Sequence, residues 1–504
     1  MLRGDDAGAG HVLAGAVGRG APGGAGLSGG GRQGPGRAGR ARRQEQGALT
    51  SGGSGGCRPR ISSRAGSVGH DPRRARGLFA KHVGPVNLLL PSCTGESPVA
   101  DLRPFRGVRP PKAVVQQLVV PSSDSISLEE ARADVRGNPR SFFRICRPEA
   151  DLAPEAPRTV AKLATLGRHN LESFLAEGWL RQDEAAHFYV YRQRMGDHVQ
   201  VGLLASVSVA EYDAGLIKPH GPTRPDTEAV RTRHVDALGG NDEPVVLVYR
   251  ARDALDALVS EAMRGPSEYD FTTEDGIRHS FWCARPELGV PLTDAFRAVP
   301  SLYLVEGHHR AAAASRVNAL REARREGRGH CRFMAMVFPH DQVRVLEYNR
   351  VVKDLHGMSP GVFLERLSER FEVKRGARPR PDQEHRFGMY LEGTWYQLTA
   401  KPGTFERTPL GLLDVTLLQQ NVLASLLWVG GAHAEGRVEA VPGSLGTSEL
   451  EARVDSGQFR VAFALFPASI EQVLSVADAG EAMPANSVWL EPRLRSGLVT
   501  HVFS

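Results

Sequence analysis

Three observations predict a mixed α+β protein. Between about residues 186 and 338, β-branched and aromatic runs alternate with amphipathic stretches of helical period. After about Phe371 that alternation gives way to shorter apolar segments. Before Phe79 there is no aromatic residue, and Gly, Ala, Arg and Ser dominate. Such a segment buries too little apolar surface to offset its chain entropy. The expected organisation is a disordered Gly/Arg-rich extension over 1–80, an α/β ligand-binding domain over 84–370, and a smaller α+β domain over 371–504.

Order is expected to begin near Val86 to Leu90. Pro104 to Pro111 reads as an extended, proline-punctuated segment. Ser127 with Glu130 three residues on is a capping-box start for a helix. Ser141 to Cys146 reads as a short strand, and Thr159 to Leu175 as a long amphipathic helix. Ala186 to Arg192 and Gln200 to Val209 form a hairpin. Asp226 to Leu238 is helical, with Asp226 as N-cap. Pro244 to Tyr249 is a buried strand, Ala254 to Met263 a helix, Ile277 to Cys283 a strand and Leu292 to Val299 a short helix. A strand from Ser301 ends at Glu306, Gly307 turns the chain, and an alanine-rich helix follows to about Glu326. Phe333 to Phe338 returns as a strand. Met389 to Thr399, Val438 to Val441 and Phe459 to Phe466 belong to the smaller α+β portion.

The net charge of +6 and pI near 9.2 suggest nucleic acid at first sight. Its distribution removes that suggestion. Residues 1–80 carry 13 Arg, no Lys and 4 acids, whereas the remainder carries 50 basic and 53 acidic residues. A slightly acidic body lacks the basic footprint of a nucleic-acid-binding domain. The basic segment itself is open to three readings: a basic arm, a transit peptide, or translated upstream sequence from a misplaced start. No run of about 18 apolar residues exists to span a membrane. The five cysteines are odd in number and lack C-x-x-C spacing, so neither a disulfide framework nor a zinc ribbon is indicated. A reducing, cytoplasmic location fits best.

The segment Ser301-Leu302-Tyr303-Leu304-Val305-Glu306-Gly307-His308-His309-Arg310 is the most informative in the chain. A helix start presents unpaired N–H groups and the positive end of the dipole, so anions collect there. Arg310 on the first turn adds a fork-shaped donor. Glu306 beside it is placed to hold a metal ion or take a proton. The competing reading is an ordinary polar strand-to-helix turn, since a second glycine and a Walker lysine are absent. His308 and His309 point about 100° apart on a helix, so they do not face one ion together. A second polar stretch, Ile217 to Val235, holds His220, Arg224, Arg231, Arg233 and His234. It reads either as a site loop or as a solvated charged helix.

Six ordered landmarks resemble a widespread bacterial and archaeal family catalogued as a domain of unknown function, number one thousand and fifteen. They are Pro104-Phe105-Arg106-Gly107, His220 to Val235, Glu306 to Arg310, Tyr348 to Leu355, Leu413-Asp414-Val415-Thr416, and Met483-Pro484 through Ser496 to Val499. The Gly-His-His-Arg turn is also similar to the phosphate-binding turn of the ParB/sulfiredoxin superfamily, which includes free serine kinases. That resemblance implies a ParB/sulfiredoxin-like core and a nucleotide ligand, ATP or ADP with Mg²⁺. Three positions depart from the family pattern. Glu306 stands where Asp is common, Gly221 where Glu is common, and Val120-Pro121-Ser122-Ser123-Asp124 replaces a Pro-Pro-Tyr-Asp stretch.

The resemblance implies a nucleotide-dependent phosphotransferase acting on a small hydroxylated metabolite such as free serine. Gly307, His308, His309 and Arg310 would cradle phosphates, and Glu306 would hold Mg²⁺ or accept the hydroxyl proton. Arg224, Arg231 and Arg233 would hold a carboxylate or further phosphates, and His220 and His234 would move protons. The missing carboxylate at Gly221 favours an alternative, a non-catalytic nucleotide- or metabolite-binding regulator. A ParB-like DNA-binding protein is disfavoured by the acidic body.

Overall fold

The computed structural model describes residues 100–503 apart from 328, 377 and 431–435. The extension over 1–80 and the expected start of order near Val86 lie outside the described residues. The rest is a mixed α+β fold.

A nine-stranded mixed sheet is its centre. The strands run Tyr269–Thr272, Arg278–Cys283, Tyr189–Met195, His198–Ser208, Arg332–Pro339, Val245–Tyr249, Leu302–Glu306 and Ile217–Pro219, with Leu102–Arg103 added beside His198–Ser208. The period-two pattern of its central strands sorts side chains onto two cores. Leu302, Leu304, Val245, Leu247, Phe333 and Ala335 pack on one face. Tyr303, Val305, Val246, Val248, Met334 and Met336 pack on the other. That second core also contains Val352, Phe363, Phe387, Leu398 and Phe463, which belong to the C-terminal half. There a six-stranded sheet runs Phe371–Arg375, Thr394–Ala400, Arg386–Leu391, Val461–Ala464, Tyr348–Val352 and Val438–Pro442. One apolar layer therefore holds the two sheets together.

The chain end returns to its beginning. Thr500–Val502 pairs with Gly107–Arg109 and with Gly240–Asn241, and Arg495–Ser496 pairs with Val120–Pro121. This closure brings Arg493 to Glu306 at the end of the strand Leu302–Glu306, and Ser496 to Glu243.

Several local expectations meet their elements. Ser127 and Glu130 form a complete capping box on helix Leu128–Gly137. Thr159 caps Val160–Ala176. The hairpin is Tyr189–Met195 with His198–Ser208. Two expectations are corrected. Ser141 to Cys146 is not a strand; Phe143–Cys146 is one helical turn with Phe143, Ile145 and Cys146 buried. A short apolar run enclosed on all sides carries no period that separates strand from helix. Asp226 does not cap its helix either. Pro225 takes the first helical position, where its missing N–H costs nothing, so the cap position falls on Arg224, which makes no side-chain cap bond.

Candidate functional site

The strand Leu302–Glu306 ends at Gly307, whose φ of +88° is open to glycine at little cost. A Cβ there would lie 3.1 Å from Val245 Cα, so the turn also needs the missing side chain for room. Helix His308–Ala323 starts at once. Its residues Ala311 to Ala314 are all buried, and their small side chains let the helix lie close on the sheet. The N–H groups of Arg310 and Ala311 bond to Gly307 O. Those of His308 and His309 precede the first helical bond and point outward from the helix start.

They open into a cavity of about 390 Å³. Glu306, Gly307, His308, His309 and Arg310 line it from the turn; His220, Gly221, Arg224 and Arg231 line it from the second polar stretch. Of the ten expected site residues, these eight are together: Glu306, Gly307, His308, His309, Arg310, His220, Arg224 and Arg231. Arg233 faces solvent on the helix Pro225–Leu238. His234 is buried on the other side of that helix, with Nε2 2.9 Å from Asp242.

The arginines divide by partner. The Arg310 side chain, 10% exposed, donates to Asp124 (2.5 Å), Glu243 (2.9 Å) and Pro244 O (3.1 Å). Arg231 donates to Asp124 at 2.7 Å. Arg493 donates to Glu306 at 2.7 Å and lies over the Trp489 ring at 4.3 Å. Arg224, by contrast, has an exposed side chain on the cavity wall. Glu243 is itself the hub of a buried set, accepting from Ser123 N at 2.9 Å and from the Ser123 and Ser496 hydroxyls. Burial would raise the Asp124 carboxyl, but Arg310 and Arg231 outweigh it and hold the group well below the usual carboxylate range.

The histidines are neutral bases. Burial lowers His220 to about 4. Its Nδ1 lies 2.9 Å from Leu304 O, and a carbonyl only accepts, so Nδ1 carries the proton and Nε2 the lone pair. Burial also pushes His308 well below its usual range, and its Nε2 is buried without a partner. The His220 and His308 rings meet edge to face at 4.5 Å. His309 Nε2 accepts the Arg224 backbone N–H at 3.0 Å and so ties the loop to the helix start. Gly221 has no positive φ, and a Cβ on it would meet only His308 Nε2, at 3.9 Å.

The family model described as "Protein of unknown function (DUF1015)" matches residues 102–416. The chain belongs to that family. The match covers the family's turn at Glu306 to Arg310, the His220 to Arg231 wall, Asp124 and Tyr348. Arg493 and the wall segment Pro484 to Val488 lie beyond it. No curated protein matches the chain. Among solved structures, it is similar to "Free serine kinase in complex with AMP" at 14% identity and TM-score 0.30, over 57% of this chain and 86% of that one. It is similar to a conserved hypothetical protein from Pyrococcus furiosus at 13% identity and TM-score 0.32, over 59% and 94%. SbnI with a C-terminal truncation, from Staphylococcus aureus, gives 13% identity and TM-score 0.33, over 59% and 87%. Superpositions this loose leave the chemistry to be argued from this family member's own residues.

Those residues include several that local sequence pattern did not single out. Asp124 and Arg493 are the nearest charged partners of the expected turn, and Glu243 braces it from below. Asp124 stood at the end of a stretch that departs from the family pattern, and Arg493 lay within the last landmark; Glu243 carried no signal. The donor set fits a nucleotide's phosphates: two outward helix N–H groups and an exposed arginine. It fits a resident metal poorly. Among the described residues no group of three or more His, Cys, Asp and Glu could hold an ion. Mg²⁺ commonly binds through one or two carboxylates plus substrate phosphates, and the carboxylates lining this cavity, Asp124 and Glu306, are both paired with arginines. No helix among the described residues is long and apolar enough to cross a membrane.

Proposed function

We propose that the chain is a nucleotide-dependent phosphotransferase acting on a small hydroxylated metabolite, free serine among the candidates. One observation carries the reading: a helix start on a Gly307 turn opens into a cavity that also holds neutral, unpartnered imidazole nitrogen and an exposed arginine. Phosphoryl transfer needs mainly positioning and charge neutralisation. The His308 and His309 N–H groups and the Arg224 guanidinium bind the phosphates. The Mg²⁺-nucleotide, when bound, supplies the phosphoryl group. His220 Nε2 accepts the proton of the attacking hydroxyl, with its tautomer set by Leu304 O. Arg310 and Arg493 act one step back, fixing Asp124 and Glu306.

A second reading rests on those same pairs. Asp124 and Glu306 are each held by arginine, and Gly221 offers no carboxylate, so the chain would bind nucleotide without transferring phosphate. Incubation with ATP or ADP, Mg²⁺ and a panel of hydroxylated metabolites, read by mass spectrometry, decides between them. A phosphorylated product supports the kinase. Nucleotide binding with no product supports the non-catalytic binder, and absence of nucleotide binding defeats both.

A further inference from the structure

A second cavity of about 280 Å³ lies behind the first. The two share two lining residues, Asp124 and Arg231, whose side chains meet at 2.7 Å. That ion pair is the partition between them. Beyond it the walls differ in chemistry. Val160, Leu163 and Ala164 of helix Val160–Ala176 and Val230 of helix Pro225–Leu238 make an aliphatic side. Arg147 and Glu149, 2.7 Å apart, place a second ion pair on the wall. The Cys146 thiol is kept protonated by burial and adds to the apolar surface.

Two cations and two anions thus face one small, partly aliphatic space. A ligand with a single charge would open one of these part-exposed pairs and leave one partner unmatched. A ligand carrying both charges matches them.

We propose that this cavity is a second ligand site, for a small zwitterion with an aliphatic body, an α-amino acid of the leucine or valine type. Its carboxylate meets the arginine forks, its ammonium meets the acids, and its side chain lies on Leu163 and Val230. The site does not depend on the phosphotransfer reading. Because Asp124 and Arg231 line both cavities, occupancy of one alters the field in the other, and any coupling of affinities is reciprocal.

Isothermal titration of the full chain with L-leucine tests it. L-leucinamide, which lacks the carboxylate, and 4-methylpentanoate, which lacks the ammonium, serve as controls. L-leucine is expected to bind, with each control weaker by about tenfold or more, as loss of a charge-assisted bond implies. Val230 is 44% exposed at the rim, so Val230→Asp spares the fold; Leu163→Trp fills the space from the other wall. Loss of leucine binding in either variant, at an unchanged melting temperature, supports the site. No leucine binding at millimolar concentration, equal affinity for either control, or full-strength binding that survives both substitutions overturns it.

Discussion

Arg310 donates to Glu243 at 2.9 Å beneath the helix start, with both side chains almost wholly buried. The arginine expected to reach a phosphate is thereby a brace between the turn and the Gly240–Asn241 region, with Asp124 and Pro244 O as its other acceptors. Removing one partner of a buried pair leaves the other charge uncompensated, at about 3–5 kcal/mol. Arg310→Ala is therefore expected to lower stability by that order in denaturant titration. A variant as stable as wild type, weakened only in nucleotide binding, would restore the direct phosphate role.

Arg224 is the contrasting case. Its guanidinium is exposed on the cavity wall, so Arg224→Ala should leave the melting temperature unchanged. Nucleotide affinity should fall by about 1.5–3 kcal/mol, the range for a hydrogen bond to a charged group. Arg224→Lys should recover part of the loss, because a point charge replaces a fork. Titration calorimetry with ADP measures both; unchanged affinity in Arg224→Ala removes it from the site.

Gly221 is free to accept a side chain. Its φ is not positive, and a Cβ meets only His308 Nε2 at 3.9 Å, so the strain that a left-handed glycine would impose is absent. Gly221→Glu should fold normally and give His308 Nε2 an anionic partner. If transfer needs that carboxylate, turnover should rise by about 10²–10⁴, the usual worth of general base catalysis, while binding stays level. Gly221→Gln is the control, and equal rates for the two variants would deny the carboxylate a catalytic part.

The buried histidines predict acid sensitivity. His220 titrates near 6.5 in an unfolded chain and at about 4 here. Between those values the unfolded state binds the extra proton. Stability is thus complete above about pH 6.5 and is lost as pH falls towards 4. The His308 imidazole acts in the same direction. The melting temperature should hold from pH 8 to 7 and fall below about 6.5. His220→Asn, which keeps an N–H for Leu304 O, should flatten that fall. A slope as steep as wild type would assign the acid sensitivity to other groups.

Arg350 offers a test of the cavity wall. It is 5% exposed and donates to four carbonyls, among them Ala485 O at 3.1 Å and Asn486 O at 2.7 Å. Burial lowers it to about 10. These bonds hold the segment Pro484 to Val488 against the cleft. Arg350→Met should weaken ADP binding without touching the ligand, and Arg350→Lys should restore less than half of the lost bonds. ADP affinity unchanged in a folded Arg350→Met would limit the residue to packing.

What could be read from the sequence was what near neighbours in the chain decide. The Ser127–Glu130 capping box, the Tyr189 to Ser208 hairpin and the strand-to-helix turn at Gly307 each rest on residues a few positions apart. Their dihedral preferences and side-chain periods are local properties. The tertiary structure alone decided whom the charged residues meet. Arg310 finds Asp124 across 186 positions, and Arg493 finds Glu306 across 187. It also decided that Phe143–Cys146 is a helical turn and that His234 faces Asp242 and the second cavity. The reason is physical: a charge has no periodicity that names its partner. Which arginine remains free for a ligand is settled only when packing has brought every competing carboxylate and carbonyl within reach.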